Sequence, residues 1–265
     1  MATIDLPSRY ELRTLTLDHI EWASAIFTHG MLHQNRLWAG TTTTEEAAAG
    51  TYRMLDLGNP IMEHQIRSGH SLGIFDKEYK FKRPESEATG GKLYWDSKDM
   101  TATGADLLEQ MDFPLISVAM SYDLSDPPPD PIGWIDCCPH AVQVFGELEE
   151  KDRRDPEVSK ATGPNQVLMR LGTATRADVM GLKLMKKMAH FVMRKAADDG
   201  FRGIDIECFS PAVTHVWSNP PSPFQGLVVS EVDTDEFEVT NDNGEKVYPL
   251  VHAHTKISKV FVTLR

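Results

Sequence analysis

Two carboxylates, Asp205 and Glu207, alternate with Ile204 and Ile206 in the segment FRGIDIECF. A β-strand there sets both acids on one face among apolar neighbours. A carboxylate so placed can take a proton from a substrate, directly or through a water. The preceding stretch, QVLMRLGTATRADVMGLKLMKKMAHFVMRKAADDG, reads as strand, loop and long basic helix. Leu184, Met185, Met188, Val192 and Ala196 share one face of that helix, and Lys183, Lys186, Lys187, Arg194 and Lys195 decorate the rest. A helix N-terminus near Gly181 offers free N–H groups and a positive dipole end, which suit a pyrophosphate, and glycine permits close approach of the backbone. Thr173, Ala174 and Thr175, at the strand end, can offer backbone groups to an extended ligand arm. The competing structural reading is an amphipathic helix with a solvated basic face.

Two further groups carry candidate chemistry. His29 and His33 lie four apart in FTHGMLHQN, on one helix face, where they can line a pocket. No third ligand stands at a fitting spacing, so no metal is expected. His215 and Ser218 lie in AVTHVWSN, where the structural reading is a surface histidine and a capping serine. The three cysteines, Cys137, Cys138 and Cys208, show no zinc spacing and read as reduced thiols of an intracellular protein.

The chain of 265 residues is long enough for one large domain. Its 41% apolar and 25% charged residues are those of a globular protein, and its net charge of −12 argues against a nucleic-acid partner. The opening MATIDLPSRYELRTL lacks a secretory pattern, and no apolar run reaches membrane-spanning length, so a cytoplasmic protein without a membrane partner is expected.

Periodicity supplies the elements that must hold these residues. A strand is expected over 10–16 and a helix over 20–31. A second helix starts from the capping box TTEE and breaks near the proline at 60. Strands follow at 71–75 and 113–122, separated by a polar insertion at 77–111 that reads as partly flexible, with one strand at 92–95. DPPPDP at 126–131 is a stiff connector. Residues 132–138 are ambiguous, HAVQVFGELEEKD forms a surface helix after Pro139, and 151–165 is a charged loop. The strand 166–175, the helix 181–199 and the strand 201–209 come next. A short helix at 212–217 and strands at 227–232, 237–240, 246–250 and 256–264 close the chain, the last one inside a sheet. A single domain over 1–265 is expected.

This order, together with ATRADVMGLKLMKKMAHFVMRKAADDGFRGIDIE, resembles the GCN5-related N-acetyltransferase superfamily. The likeness of order runs over most of the chain, and likeness of motif is confined to about 166–232. The resemblance implies a mixed α+β fold, with a central, mostly antiparallel twisted sheet and helices on both faces. It implies acetyl-CoA, or another acyl-CoA, as co-substrate and a small amine as acceptor. The pyrophosphate would lie on the loop of Met180, Gly181, Leu182 and Lys183, and the pantetheine arm between the strands that flank the helix, beside Thr173, Ala174 and Thr175. The aralkylamine branch has a Glu near the corresponding helix end, and HGML has none; His29 and His33 are the pair there that can line an acceptor pocket. Glu207 would be the base. The family's acid is often a Tyr on the short helix; Trp217 stands there, with Ser218 or His215 as substitutes.

Lys183 stands where the loop pattern has its first Gly, and Met185 where it ends in Gly or Ala. With Trp217 at the acid position, these departures support a second expectation, a catalytically degenerate scaffold of the same fold. An open V between the strands favours the enzyme, and a groove filled by Met side chains favours the scaffold. A hydroxyl acceptor is a third possibility that sequence does not separate from an amine.

Overall fold

The computed structural model describes residues 3–129, 132–155 and 160–265. In chain order the elements are β1 (Tyr10–Thr14), α1 (Ile20–His29), α2 (Thr44–Arg67), β2 (Leu72–Asp76), α3 (Pro84–Thr89), β3 (Lys92–Leu93), α4 (Gly104–Glu109), β4 (Met111–Asp112), β5 (Leu115–Asp123), α5 (Ile132–Ile135), α6 (Ala141–Lys151) and β6 (Val167–Thr175). They continue with α7 (Leu184–Asp198), β7 (Gly203–Cys208), α8 (Pro211–Ser218), β8 (Gln225–Asp233), β9 (Val239–Thr240), β10 (Lys246–Val247) and β11 (Lys256–Thr263).

Seven strands make one sheet in the order β1-β2-β5-β6-β7-β11-β8. Every neighbouring pair is antiparallel except β6 and β7, which run parallel because α7 carries the chain back across the sheet. β2 and β5 are covered on both faces, which explains their continuous apolar runs. β11 lies between β7 and β8, inside the sheet.

The alternation of β7 and β11 assigns two chemistries to two faces. Ile204, Ile206, Val260 and Val262 point into a core shared with α7 and with Trp217 of α8. Asp205, Glu207 and Lys259 take the opposite face, where α1, α2 and α6 build the other core. Helices therefore cover both faces of the sheet.

Several elements depart from periodicity alone. α2 runs unbroken through Pro60, because Met54, Ile61, Met62 and Ile66 on both sides of the proline are buried against one core. α1 ends at His29 and continues as a π-helical turn, Gly30–Gln34. The segment 77–111 is structured: β3 pairs with β4, α3 and α4 flank them, and Leu107, Ala102 and Trp95 pack on Ala48 and Tyr52 of α2. Residues 132–138 include the short α5, and α6 buries Ala141, Val144 and Leu148. Parts of two expected segments, 130–131 of the connector and 156–159 of the charged loop, lie outside the described residues.

At Gly226, β8 passes the last turn of α8 so closely that a Cβ would run into the backbone of Trp217 and Ser218. Gly226→Ala is expected to destabilise the protein by about 1–3 kcal/mol, read from its urea midpoint.

Candidate active site

β6 and β7 pair only from Val167↔Gly203 to Arg170↔Ile206. Beyond that point the two strands part. The divergence coincides with a shift of the β5–β6 register between Met120 and Ser121, which leaves Leu171 as the extra residue of a bulge. Arg170, fully buried, fills the irregularity. Its Nη1 donates to Met120 O and Ser121 Oγ, both at 2.6 Å, and its Nη2 to Gly172 O at 3.1 Å and Thr173 Oγ1 at 2.6 Å. No carboxylate pairs with it among the described residues, and burial lowers its pKa to about 9. The ring of Trp217 lies 5.7 Å from its guanidinium carbon.

The parted strands open a cavity of about 190 Å³. Leu171–Ala174 of β6 form one wall, Phe209, Ser210 and Val213 form the other, and Phe27, Gly30, Met31 and Asn35 close the end beside α1. Over this stretch, among the described residues, β6 has a strand partner only on its β5 side, so its other edge offers backbone groups to a ligand. Ser210 caps α8, its Oγ accepting from Val213 N at 3.4 Å.

Glu207 lines this cavity and also a second one, of about 380 Å³, on the α6 side. Burial, with the charge of Asp205 added, pushes the Glu207 carboxyl up to about 8, although Lys259 opposes the shift. Lys259 sits opposite Glu207 in the β7–β11 register. Its ammonium meets Glu149, then Asp152 at 3.3 Å and Asp205 at 3.9 Å. Arg154 pairs with Asp152 and reaches Asp205 at 3.3 Å. Burial raises the Asp205 pKa against the pull of Lys259 and Arg154, whereas hydrogen bonds from Arg154 hold Asp152 well below the usual carboxylate range.

The candidate residues separate into those at the cavity and those elsewhere. Glu207, Thr173 and Ala174 line it. Thr175 lies at the strand end, its hydroxyl 2.7 Å from Ser117 Oγ. His29 and His33 serve packing. His29 Nε2 donates to Gly104 O at 2.8 Å, which leaves Nδ1 to accept from Gln34 Nε2 at 3.0 Å. His33 Nε2 donates to Thr51 Oγ1 at 2.8 Å, since that hydroxyl spends its own proton on Ala47 O. Burial lowers both pKa values, that of His33 to about 4, so the stacked rings are neutral ties between α1, α2 and α4. Neither lines the cavity.

His215 is exposed, and Ser218 Oγ accepts from Asn219 Nδ2 at 3.0 Å. Both are turned from the cavity because Val216 and Trp217 occupy the buried face of α8. The same helix delivers Ser210 and Val213 instead. Sequence reading missed Ser210 and Lys259; the signals that could have found them are Ser-Pro at a helix start, a capping pattern, and a charge inside an apolar strand. Nothing local pointed to Arg154 or Asn35.

The loop into α7 makes a 3-10 turn at Ala177–Val179. Gly181 follows at φ +89°, then Lys183 at φ +58° as N-cap of α7. The helix thus starts three residues later than expected, because both residues are left-handed. Met180 and Leu182 are exposed, at 64% and 43%, and do not fill the cavity. Lys183 holds a conformation that glycine adopts freely, so Lys183→Gly is expected to stabilise the protein by about 1 kcal/mol in urea unfolding.

Among the described residues no group of His, Cys, Asp or Glu is arranged to hold a metal, and no helix is long and apolar enough to cross a membrane. The three cysteines are free.

No protein-family model matches the sequence, and no curated protein matches it. Solved structures do. The C-terminal condensation domain of Ebony, in complex with beta-alanyl-dopamine, aligns with a TM-score of 0.61 at 16% identity, over 98% of this chain and 99% of that one. Arylalkylamine N-acetyltransferase 2 from Aedes aegypti aligns at 0.55 and 11%, over 97% and 100%. A mosquito arylalkylamine N-acetyltransferase like 5b aligns at 0.50 and 12%, over 95% and 98%. At these identities the likeness is one of fold, and it extends over nearly the whole of this chain.

Proposed function

We propose that this chain, which has the fold of the GCN5-related N-acetyltransferase superfamily, transfers an acyl group from acyl-CoA to a small amine. The observation that carries the reading is the open cavity where β6 and β7 part, with Glu207 in its lining. The loop at Met180, Gly181, Leu182 and Lys183 would receive the pyrophosphate at the start of α7, whose first N–H groups have no acceptor within the helix. The pantetheine arm would lie along the free edge of β6, at Thr173 and Ala174, where a backbone N–H can hold the acyl carbonyl.

Glu207 takes a proton from the acceptor ammonium. The amine nitrogen then attacks the thioester carbon, the C–N bond forms, the C–S bond breaks, and the second proton that the nitrogen loses on becoming an amide passes to the departing thiolate. Ser210 is the hydroxyl on the α8 side of the cavity, and the positive end of α8 beside it favours a developing thiolate. In this reading Ser210 takes the part first given to Ser218 or His215. The acyl group moves directly, without an acyl-enzyme. The reading takes 1–265 as one acyltransferase domain with 77–111 as an insertion.

Isothermal titration with acetyl-CoA and thiol release across an amine panel test it. Binding with release supports the enzyme, and no binding at millimolar ligand sinks it. Lys183 favours a second reading, a non-catalytic scaffold, because a long side chain occupies the left-handed cap where a phosphate would approach. Under the enzyme reading Lys183→Gly tightens acetyl-CoA binding severalfold in the same titration. Thiol release by the wild-type protein eliminates the scaffold.

A further inference from the structure

One buried cation grips the wall of the groove where β6 parts from β7. Arg170 spends four of its five N–H groups there, on Met120 O, Ser121 Oγ, Gly172 O and Thr173 Oγ1. Met120 and Gly172 are register partners at the point where the β5–β6 register shifts, and Gly172 and Thr173 line the cavity. The guanidinium therefore ties β5 to the cavity wall where ladder pairing is disrupted. A fully buried guanidinium with only neutral acceptors among the described residues carries a desolvation cost that an apolar side chain would not. Bulges form without buried charge, so the cation itself needs a physical reason.

The hydrogen-bond parity of β6 supplies one. Arg176 N donates to Ile116 O at 2.9 Å, which sets the bonded pairs of the β5–β6 ladder. In the antiparallel alternation, Val118↔Ala174 and Met120↔Gly172 are then bonded pairs, and Ala119↔Thr173 lies between them. Gly172 O thus points toward β5, and Thr173 N–H points to the opposite edge, which β7 has left. These two groups belong to one peptide unit. A cation at the carbonyl oxygen polarises that peptide and makes its N–H a stronger donor. A Cβ at Gly172 would come within 2.8 Å of the Phe27 ring, so α1 closes on the same peptide from the face of the sheet.

We propose that Arg170 is a positioning residue of acyl transfer, which aims and polarises the Gly172–Thr173 peptide so that Thr173 N–H holds the thioester carbonyl. The inference rests on the acyltransferase reading, which lays the acyl carbonyl on this edge. The bond from Thr173 N–H strengthens as negative charge develops on the carbonyl oxygen, so the effect falls on kcat more than on acyl-CoA binding.

The test uses the full chain with Arg170→Met, Arg170→Lys and Ser121→Ala, the last loosening the guanidinium from outside the cavity. Arg170→Met is expected to lower kcat by about 10- to 100-fold, less than the loss of a whole oxyanion donor, with KM for acetyl-CoA and affinity for free CoA little changed. Arg170→Lys, which keeps the charge without the fork, and Ser121→Ala fall between it and the wild type. Infrared difference spectroscopy of acetyl-CoA labelled with ¹³C at the thioester carbonyl gives a readout that a merely structural role would not move. The wild-type protein should shift the bound carbonyl band to lower wavenumber, and that shift should shrink in step with kcat across the variants. Urea unfolding identifies the variants that fold, and Arg170→Lys and Ser121→Ala decide the matter if Arg170→Met does not. A carbonyl band and kcat that stay at wild-type values in the folded variants overturn the inference and leave the acyltransferase reading standing. So do equal losses of affinity for acetyl-CoA and free CoA with the band unmoved. If the wild-type protein neither binds acetyl-CoA nor releases thiol from it, the acyltransferase reading fails and takes the inference with it.

Discussion

Glu207→Gln is expected to lower acyl transfer by about 10²–10⁴-fold, the range for removal of a general base. The substitution keeps the shape and removes the proton acceptor. In the wild-type protein kcat/KM should rise with pH through about 8, where the Glu207 carboxyl ionises. The variant should lose that inflection and retain only the ionisation of the substrate amine. A profile identical in both proteins would remove Glu207 from the mechanism. The same residue carries a stability signature. Its folded pKa lies above its ordinary 4.5, so the native state keeps a proton that the unfolded chain releases. Stability therefore falls as pH rises from about 4.5 to about 8. Asp205 adds to the effect and Lys259 limits it. Glutamine removes this fall, so the variant should match the wild type at acid pH and exceed it above pH 8 by about 2–4 kcal/mol, measured by chemical denaturation.

Trp217→Ala is expected to cost about 3–5 kcal/mol, the penalty for deleting a fully buried aromatic side chain. The loss also removes the ring beside Arg170, which holds the bulge where β6 leaves β7. Urea unfolding reads the stability, and acetyl-CoA titration reads whether the parted strands keep their geometry. Trp217→Tyr separates packing from chemistry. The side chain at 217 points into the core beneath the sheet and does not line the cavity, so a phenol there should add no new ionisation to the pH profile. A gain of activity in that variant would reassign the acid.

Local pattern was sufficient for much of the scaffold. The apolar runs of β5 and β6, the amphipathic α7 and the turn into β7 are each written in short windows of sequence, because side-chain period follows backbone geometry. The placement of Asp205 and Glu207 on one strand face follows from the same rule. What periodicity misjudged were places where distant packing outweighs local preference. Pro60 sits inside an unbroken helix because apolar residues on both sides of it are buried together. The segment 77–111, polar in sequence, is ordered by a ribbon and by a small cluster on α2.

The sequence by itself determined the order of strands and helices and the placement of Asp205 and Glu207 on one strand face, because each of these depends on neighbours a few residues apart; the mostly antiparallel sheet and a groove beside Glu207 were what the resemblance to the acetyltransferase superfamily implied. Only the tertiary structure decided which way the remaining side chains turn. His29 is occupied by Gly104, 75 residues along the chain, and His33 by Thr51 on the next helix, 18 residues along. His215 and Ser218 are turned outward because Trp217 claims the inner face of α8, which brings Ser210 to the cavity. Arg154 and Lys259 meet Asp205 from about fifty residues before it and after it in sequence, and no window of neighbouring residues encodes such a meeting. The charge that one residue feels depends on burial and on partners brought by the fold, so the raised pKa values of Glu207 and Asp205 belong to the assembled sheet and not to the strand that carries them.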